Sequence, residues 1–329
     1  MTKTYDVIGI GNAIVDVIAR ADDNFLELMG IQKGIMQLVE RDRGEMLYGS
    51  MRDQVQAPGG SVANTIAGCG NLGLRTGFIG RVRDDALGRF YAQAMAKDGT
   101  DFPNGPVKDD TLPTSRSMIF VSPDGERSMN TYLGTSAELG PEDVPLDVAA
   151  DARILFLEGY LFDKDKGKAA FETVSRATRE AGGMAGISLS DPFCVDRHRS
   201  DFRRLVRELD YVIGNEHEWL SLYETDDLGK ALETAAGESG LIVCTRSGHD
   251  VVLVKGEEEA IVPVTPVTPV DATGAGDLFA AGFLYGLATG ADLATSGRMG
   301  CVAAAEVIAH VGARPEANLK ALFRKEGLI

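Results

Sequence analysis

Short apolar runs alternate with amphipathic runs along the second half of the chain, and this order predicts a parallel sheet with helices on both of its faces. The runs are, in chain order, Ile154–Leu157, Lys166–Ala181, Met184–Ile187, Phe202–Leu209, Tyr211–Ile213, Glu216–Tyr223, Leu228–Ala236 and Leu241–Cys244. Asp292 to His310 and Pro315 to Arg324 then predict two closing helices. The hydrophobic pattern therefore predicts an α/β fold.

Two β-rich pieces interrupt this alternation in the first half of the chain. The first carries a strand pattern at Ile35 to Val39, between helix signals at Asp23 to Met29 and at Arg41 to Met51. The second is a hairpin around the turn sequence Pro123-Asp124-Gly125, with strands at Arg116 to Ser122 and Glu126 to Leu133. We expect both pieces to pack together over the carboxyl edge of the main sheet, where their closure would exclude water.

These patterns divide the chain into two predicted domains. A large α/β domain comprises residues 1–15, 58–111 and 134–329, and a small lid domain comprises residues 16–57 and 112–133. A β lid with an exposed edge can pair with a second copy, whereas a lid with its own helices can stand alone. Both a monomer and a homodimer therefore stay open.

The most informative stretch of the chain runs from Pro263 to Gly290. Its three prolines keep the backbone extended, and the glycine-rich sequence from Asp271 to Asp277 then opens directly into an apolar run at helical spacing. The free N–H groups at such a helix start, together with the helix dipole, favour an anion. Gly274 and Gly276 have no Cβ atom that would hold a phosphate away from the backbone. The stretch therefore predicts a phosphate site.

Asp277 is the unusual residue at this site, since a carboxylate repels a phosphate. It is well suited to accept a proton from a hydroxyl that attacks a phosphoryl group. An aspartate in a first helical turn can also serve only as a cap. The residues of this stretch leave both interpretations open.

A second glycine pair opens another helix much earlier, in the sequence Pro58-Gly59-Gly60-Ser61-Val62-Ala63-Asn64. The glycines allow the backbone to approach a ligand, and Asn64 can reach the same place, although a simple turn and cap would look similar. Asp16 is a charge within an apolar strand pattern. It is either an edge-strand residue that faces water or a carboxylate that binds paired hydroxyls.

Two further glycine patterns do not predict nucleotide sites. Gly9-x-Gly11 lacks the third glycine of a dinucleotide fingerprint and is followed by a second strand pattern instead of a helix. Gly68, Gly70 and Gly73 complete that fingerprint at the end of a predicted helix, Ser61 to Ala67, where they are interpreted as a cap and turn. The sequence G-x-x-x-x-G-K-[ST] of a P-loop does not occur.

Composition and net charge restrict which classes of partner the protein can bind. The chain has 329 residues, 44% of them hydrophobic, and a formal net charge of −16. A charge of this sign disfavours nucleic acid and anionic membranes, so an anionic nucleotide must bind through local helix N-termini, a few basic residues and Mg²⁺. The four cysteines are far apart, and we find no signal peptide and no apolar run of transmembrane length. We therefore expect a cytoplasmic protein with reduced thiols.

The two glycine motifs together identify a resemblance that covers nearly the whole chain. Gly-Gly-x-x-x-Asn before a helix, joined with the later Asp-x-Thr-Gly-Ala-Gly-Asp, resembles the ribokinase family, also called the phosphofructokinase-B family of sugar and nucleoside kinases. The sequence from Asn215 to Glu218 is similar to the family's Asn-x-x-Glu, and Thr245 to Gly248 is similar to its nucleotide-side loop. The resemblance implies a ribokinase-like three-layer αβα sandwich with a small β-rich lid, in which the large domain binds the nucleotide and the substrate. It also implies ATP-dependent phosphorylation of a small molecule with Mg²⁺.

The resemblance also implies roles for the matching residues. Asp277 would be the base, and the amides of Gly274, Ala275 and Gly276 would form the anion hole for the transferred phosphoryl group. The substrate contacts would be Asn12, Asp16, Gly59, Gly60 and Asn64. Asn215 and Glu218 would organise Mg²⁺ and the phosphates, largely through water, and Thr245, Ser247 and Gly248 would lie beside the nucleotide. The backbone near Asp271 and Thr273, with the later turn at Gly312, matches the place where many relatives hold a monovalent cation such as K⁺.

Features of the predicted lid indicate which molecule accepts the phosphoryl group. Adenosine kinases of this family have a longer lid with helices, as the segment between Asp16 and Gly59 has here. Arg127 matches the lid arginine that closes over the phosphates in those kinases, and Tyr160 matches a position that supplies aromatic surface for the purine. Met36 would line the same base pocket from the lid. We therefore expect adenosine as the acceptor; the alternatives are a sugar kinase for ribose, fructose or 2-keto-3-deoxygluconate and a non-catalytic nucleoside-binding protein.

Overall fold

A computed structural model describes residues 3–264 and 266–329. Thr265, within the proline-rich sequence before the glycine-rich turn, and the first two residues of the chain lie outside the described residues. The strands of the main sheet are β1 (Tyr5–Ile10), β5 (Thr76–Ile79), β6 (Thr100–Asp101), β9 (Ala152–Glu158), β10 (Met184–Ser188), β11 (Tyr211–Asn215), β12 (Ile242–Arg246), β13 (His249–Lys255) and β14 (Glu258–Val262). Their order is β14-β13-β12-β11-β10-β9-β1-β5-β6. All neighbours from β12 to β6 are parallel, and β13 and β14 form an antiparallel edge.

Helices cover both faces of this sheet. The helices are α1 (Asp23–Leu28), α2 (Arg41–Ser50), α3 (Ser61–Asn71), α4 (Ala86–Lys97), α5 (Leu146–Ala150), α6 (Asp165–Glu180), α7 (Pro192–Arg197), α8 (Arg199–Glu208), α9 (Glu216–Tyr223), α10 (Leu228–Glu238), α11 (Ala275–Thr289), α12 (Leu293–Val307) and α13 (Leu319–Lys325), with 3₁₀ turns at Gly134–Glu138, Pro141–Asp143 and Gly159–Asp163. Successive strand residues enter two different cores, because side chains alternate across a sheet: Ile154 and Phe156 pack on one face, Leu155 and Leu157 on the other. The three-layer α/β fold is confirmed. No helix of the described residues is long and apolar enough to cross a membrane.

A second, five-stranded sheet is formed by the two β-rich pieces of the first half of the chain. Its strands are β2 (Ile14–Arg20), β3 (Met36–Leu38), β4 (Val55–Gly59), β7 (Ser115–Val121) and β8 (Arg127–Tyr132), in the order β3-β8-β7-β2-β4. We call it the small sheet. Because β2 pairs with both β4 and β7, Asp16 lies inside this sheet, and its interpretation as an edge-strand residue is wrong. The division of the chain into two domains stays a prediction.

Three details of the predicted elements are wrong. Helix α3 continues to Asn71, so Gly68 and Gly70 lie within it, and only Gly73, at φ 87°, adopts the left-handed conformation of a helix end. Close packing explains why a glycine occurs at position 68 within the helix, because a Cβ atom there would lie 2.7 Å from Cβ of Ala281 on α11. The sequence pattern also missed the edge hairpin of β13 and β14, and the last helix begins at Leu319 instead of Pro315.

Helix α11 positions the predicted phosphate site. Glycines in the left-handed conformation bound it on both sides, Gly274 at φ 82° and Gly290 at φ 77°. Most of its side chains are buried between α3, α12 and the sheet. This packing fixes the first turn of α11 beside the first turn of α3, where both helices approach the carboxyl edge of strand β1.

Candidate active site

A cavity of about 630 Å³ lies between the carboxyl edge of the main sheet and the small sheet. Its size is that of a small-molecule site. The cavity brings together many of the residues that the sequence singled out. Those that line it are Asn12, Asp16, Met36, Gly60, Asn64, Tyr160, Asn215, Glu218, Thr245, Thr273, Gly276 and Asp277. Those that do not line it are Gly59, Arg127, Ser247, Gly248, Asp271, Gly274, Ala275 and Gly312.

Asp277 is held in the first turn of α11 by the first turn of α3. Ser61 Oγ donates a hydrogen bond of 2.7 Å to Oδ1 of Asp277, and Asn64 Nδ2 donates one of 3.0 Å to Oδ2. Thr65 Oγ1 donates to the backbone carbonyl of Asp277 at 3.0 Å. Burial raises the pKa of Asp277 to about 6, although the two donors and nearby Arg314 oppose this shift. The carboxylate is therefore oriented, ionised at neutral pH and basic enough to take up a proton.

The start of α11 presents unpaired backbone amides. Among the described residues, no acceptor reaches the amide nitrogens of Gly274, Gly276 or Asp277. The amide of Ala275 instead donates to the carbonyl of Ala272 at 3.2 Å, which differs from its predicted place in the anion hole. Nothing lies within 4 Å of the point where Gly276 would carry a Cβ atom, so a ligand can approach the backbone there. The geometry suits an anion at the helix N-terminus.

Asp16 also lines the cavity, and its carboxylate accepts no hydrogen bond from the described residues. Gly59 makes room for it, because a Cβ atom on Gly59 would lie 2.7 Å from the Asp16 carboxylate. Burial raises the pKa of Asp16 to about 6, against the opposite effect of Arg127 and Arg314. Gly60 adopts φ 100°, and a Cβ atom on it would lie 2.3 Å from the carbonyl oxygen of Asn12. Both glycines are required by the local geometry, and Asp16 offers two acceptor oxygens to a ligand.

Glu158 is a cavity residue to which the sequence analysis gave no role. Its side chain is 1% exposed, and Oε1 accepts from both the amide and Nδ2 of Asn12, at 3.1 and 2.7 Å. Oε2 accepts from the amide of Val62 at 3.1 Å. Burial raises the pKa of Glu158 to about 7. Glu158 could have been predicted from the sequence, because it is a carboxylate at the end of an otherwise apolar strand pattern.

Asn215 and Glu218 meet at the start of α9 in a reciprocal capping arrangement. Asn215 Oδ1 accepts from the amide of Glu218 at 3.0 Å, and the Glu218 carboxylate accepts from the amide and Nδ2 of Asn215 at 2.8 and 2.6 Å. Thr245 lies beside Asn215 in the register of β11 and β12. Ser247 turns the chain away from the cavity at φ 53°. The polar edge of the cavity is therefore formed by adjacent strand ends.

Comparisons with known proteins identify the family of this chain. Residues 27–319 match the model of the pfkB family carbohydrate kinases. The chain belongs to this family. A fructokinase from Klebsiella pneumoniae is 30% identical over 242 residues, which cover 71% of the chain and 78% of that protein. The crystal structure of a probable sugar kinase from Rhizobium etli CFN 42 is 44% identical, with a TM-score of 0.91 over 99% of the chain and 100% of the other. An adenosine kinase from Sinorhizobium meliloti is 46% identical, with a TM-score of 0.90 over 98% and 99% of the two chains.

The pfkB kinase described here therefore transfers a phosphoryl group to a hydroxyl of a sugar or nucleoside, and its family implies ATP as the donor. The residues present fit Mg²⁺ held through water. Both carboxylate oxygens of Glu218 already accept hydrogen bonds within the protein, yet the side chain borders the cavity. Burial raises the pKa of Glu218 to about 7. Mg²⁺ would supply charge neutralisation on the phosphates, and no cluster of three acidic, His or Cys side chains for a metal occurs in residues 3–264 and 266–329.

The Asp271 carboxylate is fully engaged by protein donors. Oδ1 accepts from the amide and hydroxyl of Thr273 at 3.0 and 2.6 Å, and Oδ2 accepts from the amide of Gly312 at 2.9 Å and from Arg127. Although burial opposes it, these donors and the charge of Arg127 lower the pKa of Asp271. The predicted monovalent-cation site concerns the backbone near Asp271 and Thr273, and it stays a prediction. Arg127 contacts Asp271 here and thereby connects the small sheet to the segment that precedes α11.

Proposed function

We propose that this kinase phosphorylates the 5′-hydroxyl of adenosine with ATP and produces AMP and ADP. One feature of the cavity carries the proposal: a carboxylate that can accept from paired hydroxyls faces a wide apolar wall. The carboxylate is Asp16, and the wall contains Met36 and Leu38 of β3 together with Phe193 of α7. These three side chains are 48%, 55% and 76% exposed in the absence of a ligand. A nucleoside presents a ribose diol at one end and a flat base at the other, whereas a free sugar has no apolar face of that size.

The reaction requires one proton transfer and one phosphoryl transfer. The 5′-oxygen of adenosine attacks the γ-phosphorus of ATP, and its proton passes to the Asp277 carboxylate. The bond from the γ-phosphorus to the bridging oxygen breaks, and ADP leaves with that electron pair. The amides at the start of α11 stabilise negative charge on the oxygens of the transferred group, where positioned donors have most effect. Ser61 and Asn64 orient Asp277 toward the hydroxyl.

The other predicted residues surround this centre in the proposal. Asp16 accepts from the ribose hydroxyls, and Gly59 and Gly60 allow the substrate to approach. Asn12 fixes Glu158, and Tyr160 and Met36 border the base. Asn215 and Glu218 hold the hydrated Mg²⁺ and the phosphates of ATP, next to Thr245. Arg127 is placed to exchange its Asp271 partner for a phosphate when both substrates are bound.

The second candidate is a sugar kinase with the same chemistry, which the identity to a fructokinase supports. A binding protein without catalysis is disfavoured, because such a protein has no need of an oriented carboxylate beside an anion site. A coupled assay of ADP release should compare adenosine with inosine, ribose, fructose and 2-keto-3-deoxygluconate. We expect turnover of adenosine to exceed that of each sugar by about 100-fold or more in kcat/KM, as expected when a site built for a large apolar group loses that group.

Turnover of a free sugar without turnover of adenosine would overturn the nucleoside proposal and leave the kinase assignment intact. Absence of turnover with every acceptor, together with tight adenosine binding in calorimetry, would support the binding protein instead. The variant Asp277→Asn serves as the control for contaminating kinases in each assay.

A further inference from the structure

Arg314 contacts the reaction centre from a part of the chain that no motif marks. It lies in the loop between α12 and α13, and its side chain is 17% exposed. Its Nε donates a hydrogen bond of 3.3 Å to Oδ1 of Asn64, and its guanidinium forms an ion pair with Asp98 at the end of α4. One guanidinium nitrogen lies 3.4 Å from Sδ of Met95. A chain of polar contacts therefore runs from Asp98 through Arg314 and Asn64 to Asp277.

The charges at the two ends of this chain determine which way the Asn64 amide points. Its Nδ2 faces the Asp277 carboxylate at 3.0 Å, and its Oδ1 faces the Arg314 guanidinium. A flipped amide would place its oxygen against the carboxylate and its N–H groups against the cation, and both contacts would be repulsive. Arg314 therefore stabilises the orientation in which Asn64 donates to Asp277.

Arg314 also faces a centre that is rich in acids. The anionic groups around Asp277 are Asp16 on β2 and Glu158 at the end of β9, and each interacts unfavourably with the charge of Asp277. The cations are Arg314 and, from β8, Arg127. The Tyr91 hydroxyl of α4 is neutral and donates to the carbonyl of Gly59 at 3.1 Å. Of the two cations, Arg314 acts on both Asp16 and Asp277, and it opposes the burial that would protonate them.

We propose that Arg314 is a positioning residue for phosphoryl transfer, which fixes the Asn64 amide toward Asp277. The charge of Arg314 also favours the ionised form of that carboxylate. The inference rests on the proposed role of Asp277 as the base, but it does not depend on which acceptor the kinase uses. The competing explanation is structural: the pair with Asp98 ties the loop to α4, and the contact with Asn64 has no consequence for the base.

Titration of Asp277 itself separates these explanations without any acceptor. Protein labelled with ¹³C at aspartate side-chain carboxyls is titrated by NMR, and the Asp277 resonance is identified by its absence in Asp277→Asn. In Arg314→Gln we expect the pKa of Asp277 to rise by about 1 unit or more, because a nearby opposite charge has been removed. In Arg314→Lys the charge is retained, and we expect most of that rise to disappear. The exposed Arg324→Gln on α13 carries the same charge change and should leave the titration unchanged.

The pH dependence of kcat adds a second readout. It is measured with the acceptor that the coupled assay of ADP release identifies. At pH 6, a rise of 1 unit in the pKa of the base lowers its ionised fraction about fivefold, and kcat of Arg314→Gln should fall by at least that factor. At pH 8.5 much of this loss should be recovered. Asp98→Asn keeps the Arg314 charge but loosens its anchor, so kcat should fall without a shift of the acid limb. An unchanged Asp277 titration in folded Arg314→Gln, or an equal loss of kcat at both pH values, would overturn the inference.

Discussion

Ser61 Oγ donates a hydrogen bond of 2.7 Å to Oδ1 of Asp277 and so joins the first turns of two helices that are 216 residues apart in the chain. Asn64 donates to the other carboxylate oxygen from one turn further along α3. Each carboxylate oxygen thus has one neutral donor and retains capacity to accept a proton. The orientation of the proposed base therefore depends on the packing of α3 against α11 and on no local feature of either helix.

Replacement of Asp277 by Asn tests the base directly. Asn has the same shape but does not accept the proton, so we expect kcat to fall by about 100-fold or more while adenosine still binds. Turnover is measured by ADP release and binding by calorimetry. The control is Asp292→Asn, which changes the aspartate that caps the start of α12 to a residue that also caps. Near-normal turnover of Asp277→Asn would exclude Asp277 as the base.

Replacement of Glu158 by Gln should change how stability depends on pH. The pKa of Glu158 is about 7 in the folded protein against an ordinary value of 4.5, because burial favours the protonated form. The stabilisation by that proton is complete below about pH 4.5 and is lost as the pH rises through 7, with a total on the order of 3 kcal/mol. The wild-type protein should therefore lose more stability than Glu158→Gln between pH 5 and 8.

Urea denaturation at several pH values measures this difference. The comparison uses the change with pH and not the offset between the proteins, because the amide group introduced by Glu158→Gln also disturbs the contact with Val62. The exposed Glu233→Gln on α10 is the control and should follow the wild-type curve. Parallel curves for wild type and Glu158→Gln would contradict the raised pKa.

Replacement of Gly68 by Ala tests whether the distance between α3 and α11 determines the orientation of Asp277, the proposed base. An added Cβ atom would lie 2.7 Å from Cβ of Ala281 and 2.8 Å from Cδ1 of Leu278, so one of the helices must shift. For Gly68→Ala we expect a loss of about 1–3 kcal/mol of stability and a fall in kcat, since Ser61 and Asn64 move with α3. The helical Gly49 has nothing within 4 Å of its Cβ position, and Gly49→Ala should be stabilising by about 0.5–1 kcal/mol. Equal stability of Gly68→Ala and the wild type would contradict this packing argument.

Replacement of Phe193 by Ala tests whether the cavity binds the base of adenosine. An aromatic ring that is mostly exposed at the cavity gains an apolar partner only when a base is bound. For Phe193→Ala we expect KM for adenosine to rise about 2- to 10-fold, as an aromatic contact of about 0.5–1.5 kcal/mol is lost, with less effect on kcat. Leu28→Ala, which removes an exposed side chain on α1 away from the cavity, is the control. An unchanged KM in Phe193→Ala would remove this residue from the base site.

Local chemistry explains why much of the fold and the start of α11 could be predicted. Helix α11 begins and ends as predicted because Gly274 and Gly290 supply left-handed backbone conformations that other residues rarely adopt. The parallel strands were found because each is a short apolar run between helical patterns. The edge hairpin of β13 and β14 was missed, since half-exposed strands at a sheet edge carry a weaker apolar pattern.

The sequence by itself determined the family, the α/β class and the residues at the start of α11, because motifs and hydrophobic periodicity can be found in the sequence without knowledge of how the chain packs. Only the tertiary structure decided the surroundings of Asp277. Glu158 contacts Asn12 across 146 positions, and Arg314 contacts Asn64 across 250. Contacts of this kind leave no periodic or motif signal, because they arise from how the helices and strands pack. The same packing buries Asp16, Glu158 and Asp277 together, and this shared burial is what raises their pKa values.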